Sequence, residues 1–196
     1  FKQTLGFVIN QVLNSTTAQV NLLNESGLPS ETNVNMTFYD RYSDRIMYNY
    51  IHTLNYKGNP DTLELDHLVN YRLKIHTIPP IVVDSISIAA GKHTVIPVEA
   101  PQGYLNVKTK RGKEYEGLKF ITRKSGLKET INYQFIGKTE KYITGKYDLE
   151  IPTIPTLHID GIEILQSHTT TVDIPEPGTV TFSTKSSGFG SLYVLR

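Results

Sequence analysis

Hydrophobic and polar residues alternate with a period of two along much of this 196-residue chain. The segments Tyr71–Ile75 (YRLKI) and Tyr147–Ile151 (YDLEI) each place Tyr, Leu and Ile on one face of a strand and two charged residues on the other. Such segments recur about every ten residues, between Gly, Pro, Asn or Ser, and no stretch keeps a helical period. This pattern predicts an all-β protein built as a sandwich or barrel.

Two stretches of the chain repeat each other without a gap at an offset of 76 positions. Residues 71–88 read YRLKIHTIPPIVVDSISI, and residues 147–164 read YDLEIPTIPTLHIDGIEI. The apolar positions persist while the charges between them change sign, as burial of one strand face requires. Residues 93–98 and 169–174 continue the repeat at the same offset. The sequence therefore predicts two tandem antiparallel β-sandwich modules.

The repeat also sets the expected module boundaries. Residues 1–101 form the first module, with about twenty additional residues around 42–65, and residues 102–177 form the second. Residues 178–196 are expected to form a hairpin that resembles the start of a third repeat. The apolar positions of that hairpin are Val180, Phe182, Leu192 and Val194.

Proline occupies equivalent places in the two modules, at Ile78-Pro79 and Ile154-Pro155. Proline cannot donate a hydrogen bond to a strand ladder. Each proline is therefore expected to mark the end of a strand or a crossing between sheets.

The order of these segments resembles a known group of modules. Thr144–Ile151 (TGKYDLEI) leads from a Gly into an inward-facing Tyr-x-Leu-x-Ile strand. This is similar to prealbumin-like sandwiches called carboxypeptidase regulatory-like domains, and to Cna B-type and fibronectin type III-like modules. The segments IPTIP, IPEPGTV and GFGSLYVL resemble the repeats that follow a von Willebrand factor A domain in some bacterial envelope proteins. The resemblance implies structure and carries no catalytic chemistry.

The amino-acid composition limits the classes of partner and site that the chain can have. The 20 basic and 19 acidic residues give a net charge of +1, which disfavours nucleic-acid binding. There is no Cys, so disulfides and thiolate metal sites are excluded. No apolar stretch approaches the ~20 residues of a membrane-spanning helix. Because the chain starts with Phe1, we expect it to be part of a longer polypeptide.

No arrangement of residues predicts a catalytic or metal centre, and we expect neither an enzyme nor a cofactor. Asp40 and Asp44 bracket a DRYSDR sequence that lacks the Gly and Glu of a calcium loop, so a hairpin turn is the better interpretation. The histidines lack the close spacing of zinc ligands and are expected at surface or turn positions. They are His52, His67, His76, His93, His158 and His168.

Tyrosines crowd the longer first module. On a sheet face they can stack against sugar rings, although cross-strand packing is the more ordinary role. These residues are the candidate ligand surface: Tyr39, Tyr42, Tyr48, Tyr50 and Tyr56.

The sequence thus predicts a non-catalytic structural or interaction module, a spacer or adhesion-type sandwich pair. Its expected partners are other domains of the same polypeptide or another envelope protein. We expect an exported protein of the bacterial periplasm or cell surface; Asp61-Thr62-Leu63 and Asp84-Ser85-Ile86, which resemble O-glycosylation sites, weakly support export. The alternative function is a carbohydrate-binding module that uses the first-module tyrosines.

Overall fold

The computed structural model of the chain describes a defined set of residues. They are 4–6, 8–9, 16–110, 115, 117–178, 181–183, 185–191 and 193. Strands contain 53% of the residues and helices contain 3%, so the predicted all-β class is confirmed. No helix among the described residues is long and apolar enough to cross a bilayer.

Of the residues on which the predicted C-terminal hairpin depends, three lie outside the described set: Val180, Leu192 and Val194. The described residues after Ile174 belong to no strand.

The chain divides into two compact units. Unit 1 comprises residues 1–103 together with 141–144, and unit 2 comprises residues 104–140 and 145–196. Each unit contains one run of the repeat found in the sequence, and each is described separately below.

Unit 1 contains the first seven strands of the chain. They are β1 (Thr17–Leu23), β2 (Val34–Asp40), β3 (Ile46–His52), β4 (Thr62–Leu63), β5 (Asn70–Ile75), β6 (Ile81–Ser87) and β7 (His93–Glu99). Three form a sheet in the order β4-β1-β7, and four form a sheet in the order β3-β2-β5-β6. The ladders are antiparallel except that β1 pairs in parallel with β7, from Thr17 opposite His93 to Leu23 opposite Glu99.

The two sheets of unit 1 bury one face each in a common core, which makes this unit a β-sandwich. In β5 the expected alternation is observed, since Tyr71, Leu73 and Ile75 are fully buried. The Phe38 ring of β2 packs edge-on against the Tyr71 ring at 5.8 Å between centroids. Each fully buried side chain of this size contributes about 1.5–3 kcal/mol, and alternation delivers every second one to the core.

The remaining seven strands repeat the same topology. They are β8 (Gln102–Thr109), β9 (Lys119–Lys124), β10 (Thr130–Phe135), β11 (Thr139–Ile143), β12 (Gly145–Ile151), β13 (Leu157–Ile164) and β14 (Thr169–Ile174). The sheet orders are β11-β8-β14 and β10-β9-β12-β13. The first and last strands again pair in parallel, from Tyr104 opposite Thr169 to Thr109 opposite Ile174.

The first run of strands is longer because two of its connections are longer. The β3–β4 connection spans residues 53–61, against 136–138 between β10 and β11. The β4–β5 connection spans residues 64–69, against residue 144 alone between β11 and β12. Together these differences amount to eleven residues, fewer than the twenty or so that the sequence led us to expect.

The equivalent prolines Pro79 and Pro155 lie in the β5–β6 and β12–β13 connections, so the predicted strand ends are confirmed. Both follow a cis peptide bond. The two strands that each proline connects are neighbours in one sheet, so of the two alternatives the strand end is observed and the crossing between sheets is not.

A β-bulge occupies the same place in the two larger sheets, and each run of strands stabilises it with different charges. In unit 2 the bulge contains Gly161, which has a φ of 70°. The Asp148 carboxylate accepts hydrogen bonds from the N–H of Gly161 at 2.8 Å and from the N–H of Gly126 at 2.9 Å. These backbone hydrogen bonds lower the pKa of Asp148, because they favour its ionised form.

In unit 1 the position equivalent to Asp148 is Arg72, which forms an ion pair with Asp44 at 2.9 Å. Asp84, within the unit 1 bulge, pairs with Arg41 at 3.0 Å. The charge reversal seen in the sequence therefore corresponds to two different ways of stabilising one bulge.

We expect Asp148→Asn to destabilise unit 2 by about 1 kcal/mol at pH 7, a low value for hydrogen bonds to a charged group because the site is partly exposed. The lowered pKa means that this stabilisation is present above the ordinary carboxyl value of 3.8 and is lost as the pH falls below it. Urea unfolding at pH 7 and pH 3 measures both effects. A wild type and variant that differ equally at the two pH values would contradict the assignment.

Candidate functional site

A cleft of about 700 Å³ lies in unit 1 beside two of the predicted tyrosines. Tyr48 and Tyr50 of edge strand β3 form one wall, and the β4–β5 connection forms another. The residues that line the cleft are Thr16, Thr17, Tyr48, Tyr50, Glu64, Leu65, Asp66, His67 and Leu68. This cleft is the candidate ligand site of the described part of unit 1.

The β4–β5 connection is held in place by tyrosine hydroxyls. Tyr50 donates a hydrogen bond to the carbonyl of Glu64 at 3.1 Å, and Tyr71 donates to the carbonyl of Asp66 at 3.0 Å. The Asp66 carboxylate accepts a hydrogen bond from the N–H of Leu68 at 2.8 Å, which closes a local turn. The cleft thus exists because the longer connection of unit 1 is fixed at a distance from β3.

Tyr48 and Tyr50 are stacked side by side, with 5.9 Å between ring centroids and 18° between ring planes. Both rings are half-buried and pack against the unit 1 core. Burial is the largest cause of a raised pKa at Tyr50, with smaller contributions from Tyr48 and Glu64, and burial likewise raises the pKa of Tyr71. The hydroxyls of Tyr50 and Tyr71 therefore stay protonated and able to donate hydrogen bonds at neutral pH.

The other three predicted tyrosines lie elsewhere. Tyr39 is in β2, where the guanidinium of Arg72 lies 5.1 Å from its ring centroid. Tyr42 is 80% exposed in the β2–β3 turn, and Tyr56 is 92% exposed in the β3–β4 connection. Tyr39 and Tyr42 contact arginines, and neither they nor Tyr56 line the cleft. The structure thus brings together two of the five tyrosines, Tyr48 and Tyr50.

The equivalent strand of the second run carries different side chains at these positions. Tyr48 and Tyr50 pair with Phe38 and Met36 of β2, and the corresponding residues of β10 are Asn132 and Gln134. Gln134 is fully buried and donates hydrogen bonds to the carbonyls of Leu105 and Lys138. The aromatic pair is therefore specific to unit 1.

Sequence reasoning missed the acidic side of the cleft. Glu64 and Asp66 contribute carboxylates, and His67 contributes an imidazole, all from the β4–β5 connection. No lysine or arginine is among the lining residues. Stacked rings beside hydrogen-bond acceptors suit an uncharged or cationic ligand that carries several hydroxyl or amino groups. The only signal in the sequence was the extra length of this connection.

The DRYSDR segment forms the β2–β3 turn, as expected. Asp40 accepts hydrogen bonds from the N–H groups of Tyr42 and Ser43 at 3.0 and 2.8 Å. The hydrogen bonds from Ser43 lower the pKa of Asp40, so this carboxylate caps the turn in its ionised form. Across the described residues, no three His, Asp or Glu side chains lie close enough to bind a metal ion.

One histidine is misplaced by the sequence analysis. His52 was expected at a surface or turn position but is 3% exposed in β3, where its inward face follows the alternation of Tyr48 and Tyr50. Its Nε2 donates a hydrogen bond to the carbonyl of Val20 at 3.0 Å. Burial is the largest influence on its pKa and lowers it. His76, His93, His158 and His168 are exposed as expected, and His67 is half-buried in the cleft wall.

No family model and no curated protein matches this chain. Among solved structures, the Bacillus anthracis TIE protein is similar at 13% identity and a TM-score of 0.34. The match covers 81% of this chain and 34% of the other, so the chain spans about a third of that protein's length. At this level of similarity the match does not bear on function.

We expect the stability of unit 1 to fall as the pH drops below the ordinary histidine value of 6.5. The pKa of His52 is lowered in the folded state, so as the pH falls the unfolded chain binds a proton before the folded chain does. The contribution of His52 to the stability of unit 1 is therefore complete only above pH 6.5. His52→Gln should weaken the pH dependence of urea unfolding between pH 7.5 and 5.5. His158→Gln, at an exposed position of β13, is the matched control and should leave it unchanged. Equal slopes for the wild type and His52→Gln would contradict the interpretation.

Proposed function

We propose that this chain is a non-catalytic structural and interaction module, a spacer or adhesion-type pair of β-sandwiches within a larger exported envelope protein. It would bear load and connect other domains of the same polypeptide, or contact another envelope protein. The sequence resemblance supports placing it among carboxypeptidase regulatory-like modules that follow a von Willebrand factor A domain. The proposal rests chiefly on one feature of the fold, the parallel pairing of the first and last strands.

That pairing determines how each run of strands responds to tension. A force that separates the two ends of such a run pulls β1 against β7, or β8 against β14, along the strand direction. Hydrogen bonds in a parallel ladder are evenly spaced along the strands. Because the force acts along the strands, these hydrogen bonds share the load and must break together. A ladder that is unzipped from one end instead breaks one pair at a time. Seven paired positions in the first run and six in the second resist the force.

The alternation within β1 shows which residues face β7. The N–H of Thr17 donates to the carbonyl of Lys92 at 3.2 Å, and the carbonyl of Leu23 accepts from the N–H of Ala100 at 2.9 Å. Backbone groups alternate sides along a strand, so Asn21 also directs its N–H towards β7. Asn21→Pro removes this donor from the load-bearing ladder.

We expect single-molecule stretching from the two termini to give two high-force unfolding events. Asn21→Pro should lower the force of one event and leave the other at its wild-type value, since the β8–β14 ladder is unchanged. Asn21→Ala keeps the N–H and is the matched control, expected to behave as wild type. The absence of force peaks in the wild type, although circular dichroism shows it folded, would refute the spacer function.

A second candidate function is carbohydrate binding, supported by the cleft beside Tyr48 and Tyr50. The exposed part of a stacked ring pair provides an apolar surface for the C–H groups of a pyranose. The carboxylates of Glu64 and Asp66 are acceptors for sugar hydroxyls on the opposite side of the same cleft. The support for carbohydrate binding comes from the residues of this cleft and not from the fold as a whole.

For this second function, we expect binding to a neutral or amino-sugar polysaccharide in a glycan array to weaken about tenfold in Tyr48→Ala, a loss of about 1.4 kcal/mol. Glu64→Gln should weaken binding of an amino sugar more than that of a neutral sugar, because it removes a charge. Tyr42→Ala and Tyr56→Ala are matched controls, since both remove tyrosines outside the cleft. Binding that these controls weaken as much as Tyr48→Ala, or no binding at all by the folded wild type, would exclude the cleft as a sugar site.

A further inference from the structure

Unit 2 carries an open groove of about 530 Å³ at the ends of β12 and β14. The groove is mostly apolar, and Glu176 is its one charged lining residue. The lining residues are Tyr115, Leu118, Pro152, Thr153, Ile154, Pro155, Leu157, Ile174, Pro175, Glu176, Pro177 and Gly178. Ile154, which lines this groove, is 81% exposed.

The equivalent place in unit 1 is filled. Unit 1 includes the four residues Lys141–Thr144, which are distant in sequence from its other strands. Within this unit, the N–H of Ile143 donates to the carbonyl of Ile78 at 2.7 Å, and the N–H of Thr144 donates to the carbonyl of Pro101 at 2.9 Å. The Ile143 side chain packs against the unit 1 core.

The residues that receive these two hydrogen bonds have counterparts in the open groove. The 76-residue repeat relates Ile78 to Ile154, and the same offset relates Pro101 to Pro177. Both counterparts line the groove of unit 2. The filled place in unit 1 and the open groove in unit 2 are therefore the same site of the repeated fold.

A third contact holds the segment in unit 1. Lys141 donates to the carboxylate of Glu31 at 3.0 Å, and Glu31 is 5% exposed. Glu31 lies in the β1–β2 connection, and Tyr115, in the corresponding β8–β9 connection, lines the groove. In unit 1 the occupying segment thus contacts two positions whose counterparts line the groove.

We infer that the unit 2 groove is a docking site for the corresponding extended segment of a further module of this type, following in the same polypeptide. Two backbone N–H groups of the segment donate to the carbonyls of Ile154 and Pro177, and a β-branched side chain covers the exposed Ile154. A basic residue two positions before that side chain, like Lys141, is favoured by the negative charge of Glu176. The inference deepens the proposed spacer function and rests on it, because it names the partner that extends the array.

The experiment adds a blocked peptide of residues 139–145 (TEKYITG) to the ¹⁵N-labelled full chain and records amide chemical shifts. The place in unit 1 is already filled by the chain's own segment, so the open groove is the site left to bind. We expect saturable shifts at Thr153, Ile154 and Gly178, with a Kd of about 1 mM or tighter. A peptide with Ile143→Asp should cause no such shifts.

Two variants of the protein sharpen the test. Ile154→Asp should abolish the peptide-induced shifts, and Leu127→Asp, which alters another exposed aliphatic residue in the β9–β10 turn, should retain them. Shifts that are absent at about 5 mM peptide, that map outside the groove, or that the Ile143→Asp peptide reproduces would overturn the inference.

Sedimentation distinguishes the other occupant of the groove. Self-association of the wild type that Ile154→Asp abolishes would identify a second chain as the occupant and would overturn the inference. A monomeric wild type that binds the peptide supports it. The stretching experiment measures the β1–β7 and β8–β14 ladders, which the groove variants do not alter, so failure of the docking site and failure of the spacer function are separable.

Discussion

The parallel ladder between the first and last strand of each repeat is the constraint on which the rest of the structure depends. It joins the beginning of the run to its end, and four of the five intervening strands form the second sheet that covers the core. It also places both ends of the run on one sheet. The buried faces of β1 and β7 belong to the same core as β2 and β5, so this ladder is also a wall of the hydrophobic interior.

The two runs of strands differ in their connections, in charged positions and in the side chains of β3 and β10. Six residues between β4 and β5 create a cleft in unit 1, whereas a single residue, Thr144, makes the equivalent connection between β11 and β12. Arg72 and Asp148 hold equivalent bulges with opposite charges. A repeated core therefore leaves its connections free to acquire binding surfaces, because loop residues contribute little to burial.

The buried faces of the strands could be predicted because burial leaves a periodic trace in the sequence. Tyr71, Leu73 and Ile75 were expected in the core from alternation alone, and they are fully buried. His52 obeys the same alternation, although its residue type led us to predict a surface position. Its imidazole N–H donates to a backbone carbonyl. Position within a strand therefore outweighs side-chain polarity where such an acceptor is available. The candidate tyrosines could be found by their number, but the faces and turns that separate Tyr39, Tyr42 and Tyr56 from the stacked pair could not.

The sequence by itself determined the all-β class, the repeat, the buried face of strands such as β5 and the prolines at strand ends, because each of these follows from local periodicity or backbone chemistry. The tertiary structure alone decided the parallel pairing of first and last strands, the shape of the cleft and the contrast between the filled place in unit 1 and the open groove in unit 2. Those features join residues far apart in the chain, such as Ile78 and Ile143. Long-range pairing leaves no periodic pattern in a single sequence, so only the folded chain reveals it.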